Sequence, residues 1–357
     1  MATGTVPALR QDIMTPIERM NAFLTGKPID RMLCMPIVTS YAAQRAGYTV
    51  REYETSGKVM AESHLTVFND LKYDLVYLFT NCSYIAEAMG QPLDYYDNEP
   101  AGCNHPIVLS EQDVSKVHVA TADEGPFPVY WEAVDILKKE IGDQVYLSIC
   151  FSGPLSSAAT MRGAESFIRD TYKNPELCHK LLRMCTDTCK NFIQRMVKLG
   201  VVPVILEPIS SASILSPKMF SKFSQPYCEE LIAYAHELGS PIALHICGKT
   251  NAIIGKMADT GADIVSFDIC DLDIAREKVD GRAVLLGNVT PADVLMFGTR
   301  EDVVAVCRDS VLHMKDYKPG FVLATGCELP RRIPYEHLEA MLEVIRTYGL
   351  FPAEDLE

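Results

Sequence analysis

Short apolar runs alternate with longer amphipathic stretches along almost the whole of this 357-residue chain. Eight runs stand out: "RMLCMPIV" (31–38), "YDLVYLF" (73–79), "QVYLSIC" (144–150), "VVPVILE" (201–207), "PIALHIC" (241–247), "ADIVSFD" (262–268), "AVLLGNV" (283–289) and "FVLATGC" (321–327). Between them lie stretches with helical spacing, such as "AESHLTVFNDLK" and "SKFSQPYCEELIAYAHEL". Near-continuous apolar runs suit strands buried on both faces, and the helices supply the crossovers that parallel strands need. Eight such units predict an α/β fold, a (β/α)8 TIM barrel, with a doubly wound open sheet as the alternative. The residues ahead of the first run are expected to form an N-terminal extension. The irregular, Pro/Asn/Gly-rich residues 82–125 are expected to form an inserted lid or hairpin. No Pro-rich linker, low-complexity segment or long charge block divides the chain, so residues 1–357 are expected to be a single domain.

A barrel of this kind carries its active site at the C-terminal ends of its strands. Several runs finish there on polar or metal-competent residues: Glu207, His245 with Cys247, Asp268, Asn288 and Cys327. His245 and Cys247 are two residues apart, so on a strand they project from one face. Gly248 then lacks a Cβ where the chain is expected to turn out of the strand. One imidazole and two thiolates suit tetrahedral zinc, with a fourth position open to an acidic side chain, a water or a substrate atom. For the His-x-Cys pair alone, a core cysteine beside a hydrogen-bonded histidine is an equal alternative. A third soft donor at another strand end favours the metal. The Cys-x-x-Cys knuckles of closed structural zinc sites are absent from the sequence. Two cysteinates lower the metal's net charge and leave a bound thiolate nucleophilic. Thiol alkylation therefore fits better than Lewis-acid work on a leaving oxygen.

A net charge of −14 argues against nucleic acid, whose phosphates need a basic face. No apolar run approaches the roughly 20 residues of a membrane span. The start "MATGTVPALRQDIMTPIERM" has neither the basic flank nor the apolar core of a signal peptide, so a cytoplasmic protein is expected. The 12 cysteines have no regular spacing and read as reduced thiols.

Other residues carry weaker signals. "FSGPLSSAATMRG" reads as a polar turn running into a helix at the rim. Glu207 is a candidate catalytic or ligating acid, with the capping of a helix as the equal alternative. Asn288, in "GNVTP", reads as a turn residue or a substrate contact, and Asn81 and Tyr227 are further candidate substrate contacts. Cys150 reads as a small core residue. His64, His179, His236 and His313 lie in helical stretches without a partner pattern.

Together these residues resemble the uroporphyrinogen decarboxylase superfamily, and within it the zinc-dependent corrinoid methyltransferase branch that acts on coenzyme M. The resemblance runs through "TPIERMNAFLTGKPIDRMLCMP", "SGPLSSAATMRGAESFIRD", "LHICGKT", "LLGNVTPADVLMFGT" and "ATGCELPRRIPYEHLEAM". Its most specific part is His-x-Cys-Gly followed by a late Gly-Cys. It implies a zinc site of His245, Cys247 and Cys327, completed by an exchangeable acid that Asp268 matches by position. It also implies methyl transfer between a corrinoid and a small methyl donor or acceptor. No cobalt-ligating histidine motif is present, so the corrinoid is expected on a partner protein. The decarboxylase branch instead carries an Arg-Gln-Ala-Gly-Arg element that binds porphyrinogen carboxylates. Here the stretch is "QRAGYTVREY", with Gln44 and Tyr48 in the arginine places, and Arg45 and Arg51 out of register. Porphyrin decarboxylation and a non-catalytic zinc- or corrinoid-binding barrel are the rival readings.

Overall fold

The computed structural model describes residues 9–351. Seven strands form one parallel sheet in sequence order: β1 (Leu75–Leu78), β2 (Tyr146–Ser152), β3 (Val202–Leu206), β4 (Ala243–Lys249), β5 (Ile264–Ile269), β6 (Val284–Val289) and β7 (Phe321–Thr325). Helices fill each connection, so every carboxyl end opens on one side of the sheet. The strands are almost wholly buried, as their apolar runs require. β1 and β7 have no exposed residue, and their Val, Leu and Phe side chains pack under the helices.

The first apolar run differs from expectation. Residues 31–38 make isolated bridges rather than a ladder, Cys34 with Leu323 and Arg31 with Leu350. The reason is chemical. Pro36 has no N–H to donate, the Cys34 N–H goes to the Asp74 carboxylate, and the Ile37 N–H goes to the Thr325 hydroxyl. The segment still touches both edges of the sheet. Met35 N–H donates to Leu323 O of β7, and Asp74 N–H, just before β1, donates to Cys34 O. One stretch of chain thus meets the first and last strands, and the sheet curls around it.

Buried ion pairs fasten this closure from below. Arg19, on the helix Pro16–Leu24, reaches Asp30 at 2.6 Å and Asp74 at 2.6 Å, while Arg31 reaches Asp74 at 2.7 Å and Asp12 at 2.8 Å. Both guanidiniums are buried. That helix starts at a Thr15–Glu18 capping box with Pro16 in its first turn.

Residues 82–125 hold a short helix (Tyr84–Ala88), a single antiparallel bridge between Asp94 and Gly102, and a 3-10 turn (Glu111–Lys116). One bridge is less than the ladder of a hairpin. No helix among the described residues is long and apolar enough to cross a membrane. All 12 cysteines are free thiols.

Candidate metal centre

Three side chains meet at the carboxyl end of the sheet. One ligand atom each of His245, Cys247 and Cys327 lies within 4.8 Å of the other two, the only such cluster among the described residues. His245 and Cys247 come from β4 and Cys327 from the turn two residues after β7. Strand β4 does not stop at Cys247. Its pairing with β5 shifts register between Ile246 and Lys249, and Gly248 sits inside this bulge at φ +69°. Gly248 therefore serves the bulge rather than the turn into the next helix. A Cβ there would approach the Ser211 hydroxyl to 2.8 Å. The register shift falls beside Cys247, and bulges are common next to active sites.

The electrostatics suit a cation. The Cys247 thiol is driven down to about 4, chiefly by its hydrogen bond with Cys327 and then by His245, against the opposing effect of burial. Cys327, its hydrogen-bond partner, is driven upward by that same contact and by burial. His245 Nδ1 is 2.9 Å from the Ser266 hydroxyl, which fixes the ring and leaves Nε2 for a metal. A buried imidazole and two close thiols match the nitrogen and sulfur preference of zinc. These residues fit the ion.

Asp268 lies beside the cluster, not in it. Its Oδ2 accepts from Gly248 N–H at 3.0 Å, and a Cβ on Gly326 would come within 2.5 Å of Oδ1. The carboxylate is thus wedged between the glycines that neighbour the two cysteines. Burial raises its pKa.

The structure turns the other candidates elsewhere. Glu207 is fully buried and accepts from Leu155 N, Ser156 N and the Ser156 hydroxyl at 2.7–3.0 Å. It caps the helix Pro154–Arg162 that follows β2, and Gly153 is needed to let it in, because a Cβ there would lie 2.3 Å from Oε1. Both oxygens of this carboxylate are thus engaged by the start of that helix. Asn288 donates to the carbonyls of Asp268 and Cys270, tying β6 to the end of β5. Asn81 is buried, donates to Glu54 and accepts from Ser83 N–H. Tyr227 bonds His179 on an outer helix. None of these three lines the cavity beside the metal donors. His64, His236 and His313 bond Tyr53, Asp263 and Asp273, away from the cluster.

That cavity has a volume of about 60 Å³, and its wall includes Tyr77, Phe79, Leu206, Cys82 and Glu328 beside the three donors. Cys150 is a core residue that also faces it. Glu328 and Ser266 were not foreseen. Glu328 directly follows Cys327, and Ser266 alternates with Asp268 along β5. The strand period of two was the signal for the serine. Glu328 accepts from the Thr39 hydroxyl at 2.9 Å, and burial raises its pKa.

The uroporphyrinogen decarboxylase family model matches residues 15–348. The chain belongs to that family. Within it, similarity to methyltransferases extends over more of the chain than similarity to decarboxylases. A methylcobamide:CoM methyltransferase MtbA of Methanosarcina acetivorans is 26% identical over 94% of this chain and 98% of its own length. A methylcobamide:CoM methyltransferase MtaA of Methanosarcina barkeri is 26% identical over 91% of this chain and 95% of its own. A uroporphyrinogen decarboxylase of Chlorobaculum parvum is 27% identical, but over 64% of this chain and 66% of its own. Among solved structures, a methyltransferase from Methanosarcina mazei superimposes with a TM-score of 0.83 over 93% of this chain and 98% of that one, at 24% identity, and so shares the fold.

Proposed function

We propose that this family member is a zinc-dependent methyltransferase that moves a methyl group between a corrinoid, carried by a partner protein, and a small substrate. A thiol such as coenzyme M is the natural acceptor. The reverse direction, from a small methylated donor to cob(I)amide, would use the same cavity. The observation that carries the reading is the convergence of His245, Cys247 and Cys327 within 4.8 Å. The full-length similarity to methylcobamide:CoM methyltransferases supports it. The same reading completes the fold, with residues 31–38 taking the eighth strand position of a (β/α)8 barrel between β7 and β1.

Zinc held by those three residues would supply Lewis acidity enough to bind a thiol as its thiolate near neutral pH. The chain's own groups do the rest. Ser266 holds His245 in one orientation. Asp268, between Gly248 and Gly326, is the acid available as an exchangeable fourth ligand or close neighbour. The apolar wall keeps water from the reacting sulfur, and so leaves it less solvated and more nucleophilic. A volume near 60 Å³ admits a methyl and sulfur but not a tetrapyrrole. The corrinoid would therefore present its cobalt face from the mouth.

Elemental analysis tests the metal. About one zinc per chain is expected in the wild type, and its loss in Cys247→Ala and Cys327→Ala. Full retention in both variants would remove the site. Methyl transfer from methylcob(III)alamin to a thiol, followed by loss of the methyl–cobalt absorption, tests the reaction.

A further inference from the structure

The cavity beside the metal donors is deeper than those donors alone require. Its wall includes Leu75, Val202, Ala243 and Ile264, the first residues of β1, β3, β4 and β5. It therefore runs from the start of the strands to His245, Cys247 and Cys327 at their other end. Bulky side chains ordinarily fill the interior of such a barrel, whereas Cys150, Ala243 and Ser266 leave room here. Among the described residues, no lysine or arginine lines this space, and four side chains bring oxygen or nitrogen to it: Tyr77, His245, Ser266 and Glu328. Three of them have partners. His245 and Ser266 bond each other at 2.9 Å, and Glu328 accepts from Thr39. The Tyr77 hydroxyl has no oxygen or nitrogen partner among the described residues. It reaches only the Met35 thioether, at 3.8 Å, and a thioether is a weak acceptor. Other buried tyrosines are better served. Tyr53 bonds His64 at 2.8 Å, Tyr84 donates to the Cys150 carbonyl at 2.8 Å, and Tyr130 bonds Thr80 at 2.7 Å. Tyr73 also lacks a partner, but it does not line the cavity.

We infer that the Tyr77 hydroxyl is a substrate contact, the hydrogen-bond donor that holds a thiolate sulfur or an ether or alcohol oxygen of the small substrate inside this cavity. Tyr77 stands within β1 on the face that Leu75 and Phe79 share, and all three wall the cavity. Its ring thus points inward and carries the hydroxyl at its inner end. A bound thiolate or oxygen accepts more strongly than the Met35 thioether, so the hydroxyl gains by exchanging one for the other. In a buried, apolar setting that exchange counts for more than it would in water. The inference rests on the metal-site reading above and adds two statements to it. The part of the substrate inside the cavity is small and, apart from the reacting atom, uncharged, because about 60 Å³ of largely hydrocarbon wall offers it no cation. Tyr77 acts as a neutral donor, since burial drives its pKa far upward and the hydroxyl keeps its proton. No proton changes hands, and the contact serves binding and alignment.

Tyr77→Phe removes the hydroxyl and little else, and three probes of similar size read the change. Ethanethiol supplies a thiolate, dimethyl ether an oxygen, and xenon no acceptor at all. Ethanethiol is followed by the sulfur-to-cobalt absorption of the cobalt(II)-substituted protein, and the other two by NMR titration. The variant is expected to bind ethanethiol, dimethyl ether or both about five- to tenfold more weakly, as one lost hydrogen bond would give. Xenon affinity should stay the same. A loss confined to one probe tells which atom the hydroxyl holds. In methyl transfer, KM for the small substrate should rise by the same factor with kcat near the wild-type value. Equal affinities for both acceptor probes in the two proteins overturn the contact. So does an equal loss of xenon, which marks a role in shaping the cavity. If the variant does not fold, a wild-type crystal soaked with dimethyl ether decides. The ether oxygen is expected within hydrogen-bond distance of Tyr77 Oη, and a hydroxyl still turned to Met35 overturns the inference. If the protein binds no metal, the zinc reading fails, and dimethyl ether still reads the hydroxyl, because an ether needs no metal to accept that bond.

Discussion

A carboxylate between Gly248 and Gly326 touches the residues next to both cysteines. Asp268 accepts from Gly248 N–H, so it steadies the bulge that follows Cys247. Asp268→Ala should keep its zinc, because three soft donors persist, while altering the coordination in X-ray absorption spectra and weakening discrimination between thiols. If mutant and wild-type spectra match with and without thiol, Asp268 only supports the bulge. Glu207 illustrates the opposite outcome. It ends an apolar run as Asp268 does, yet it faces the start of the helix Pro154–Arg162, whose backbone N–H groups take both its oxygens. The difference arises because β2 and its helix lie against β3, a neighbour relation that no local pattern contains.

Two groups of elements hold the site in place, and each can be tested. Below the sheet, Arg19 joins the helix Pro16–Leu24 to Asp30 and Asp74, and all three side chains are buried. Arg19→Met leaves those carboxylates buried and short of a cation, and should cost about 3–5 kcal/mol in urea unfolding. A loss under about 1 kcal/mol would mean that the pairs contribute little beyond an apolar contact. Above the sheet, Glu54 of the helix Val50–Thr55 accepts from Asn81 and from Ala101 N–H, linking the helix to two loops. Burial raises its pKa to about 7. A carboxyl raised in the folded state holds its proton there more firmly than in the unfolded chain. Its contribution is therefore complete below the unfolded value and is lost as pH rises through about 7, on the order of 3 kcal/mol by linkage. Urea unfolding of Glu54→Gln should show that difference from the wild type growing between pH 4.5 and 8. A constant difference across that range would mean the carboxyl titrates normally.

At the scale of the whole molecule, the mouth decides which chemistry of the family this chain can host. A porphyrinogen needs several fixed cations for its carboxylates. Gln44 faces the mouth where the decarboxylase pattern has arginine, and the Tyr48 hydroxyl is held by Glu62 at 2.6 Å. Arg45 and Arg51 are engaged with Tyr335 and Asp97. Incubation with uroporphyrinogen should therefore yield no coproporphyrinogen by chromatography, and appreciable product would reverse the reading. The sequence by itself determined the parallel α/β layout and the three soft donors. Continuous apolar runs settle strands locally, and a parallel sheet brings all their carboxyl ends to one face. Tertiary structure decided what each polar group does there. Pro36 and two side-chain acceptors kept the first run from joining the ladder, and a bulge rather than a turn used Gly248. Asn81, Asn288 and Glu207 were turned away from the cavity, while Glu328 and Ser266 were brought toward it. A buried polar group must bond to whatever neighbour packing supplies, and that neighbour lies tens to hundreds of residues away along the chain.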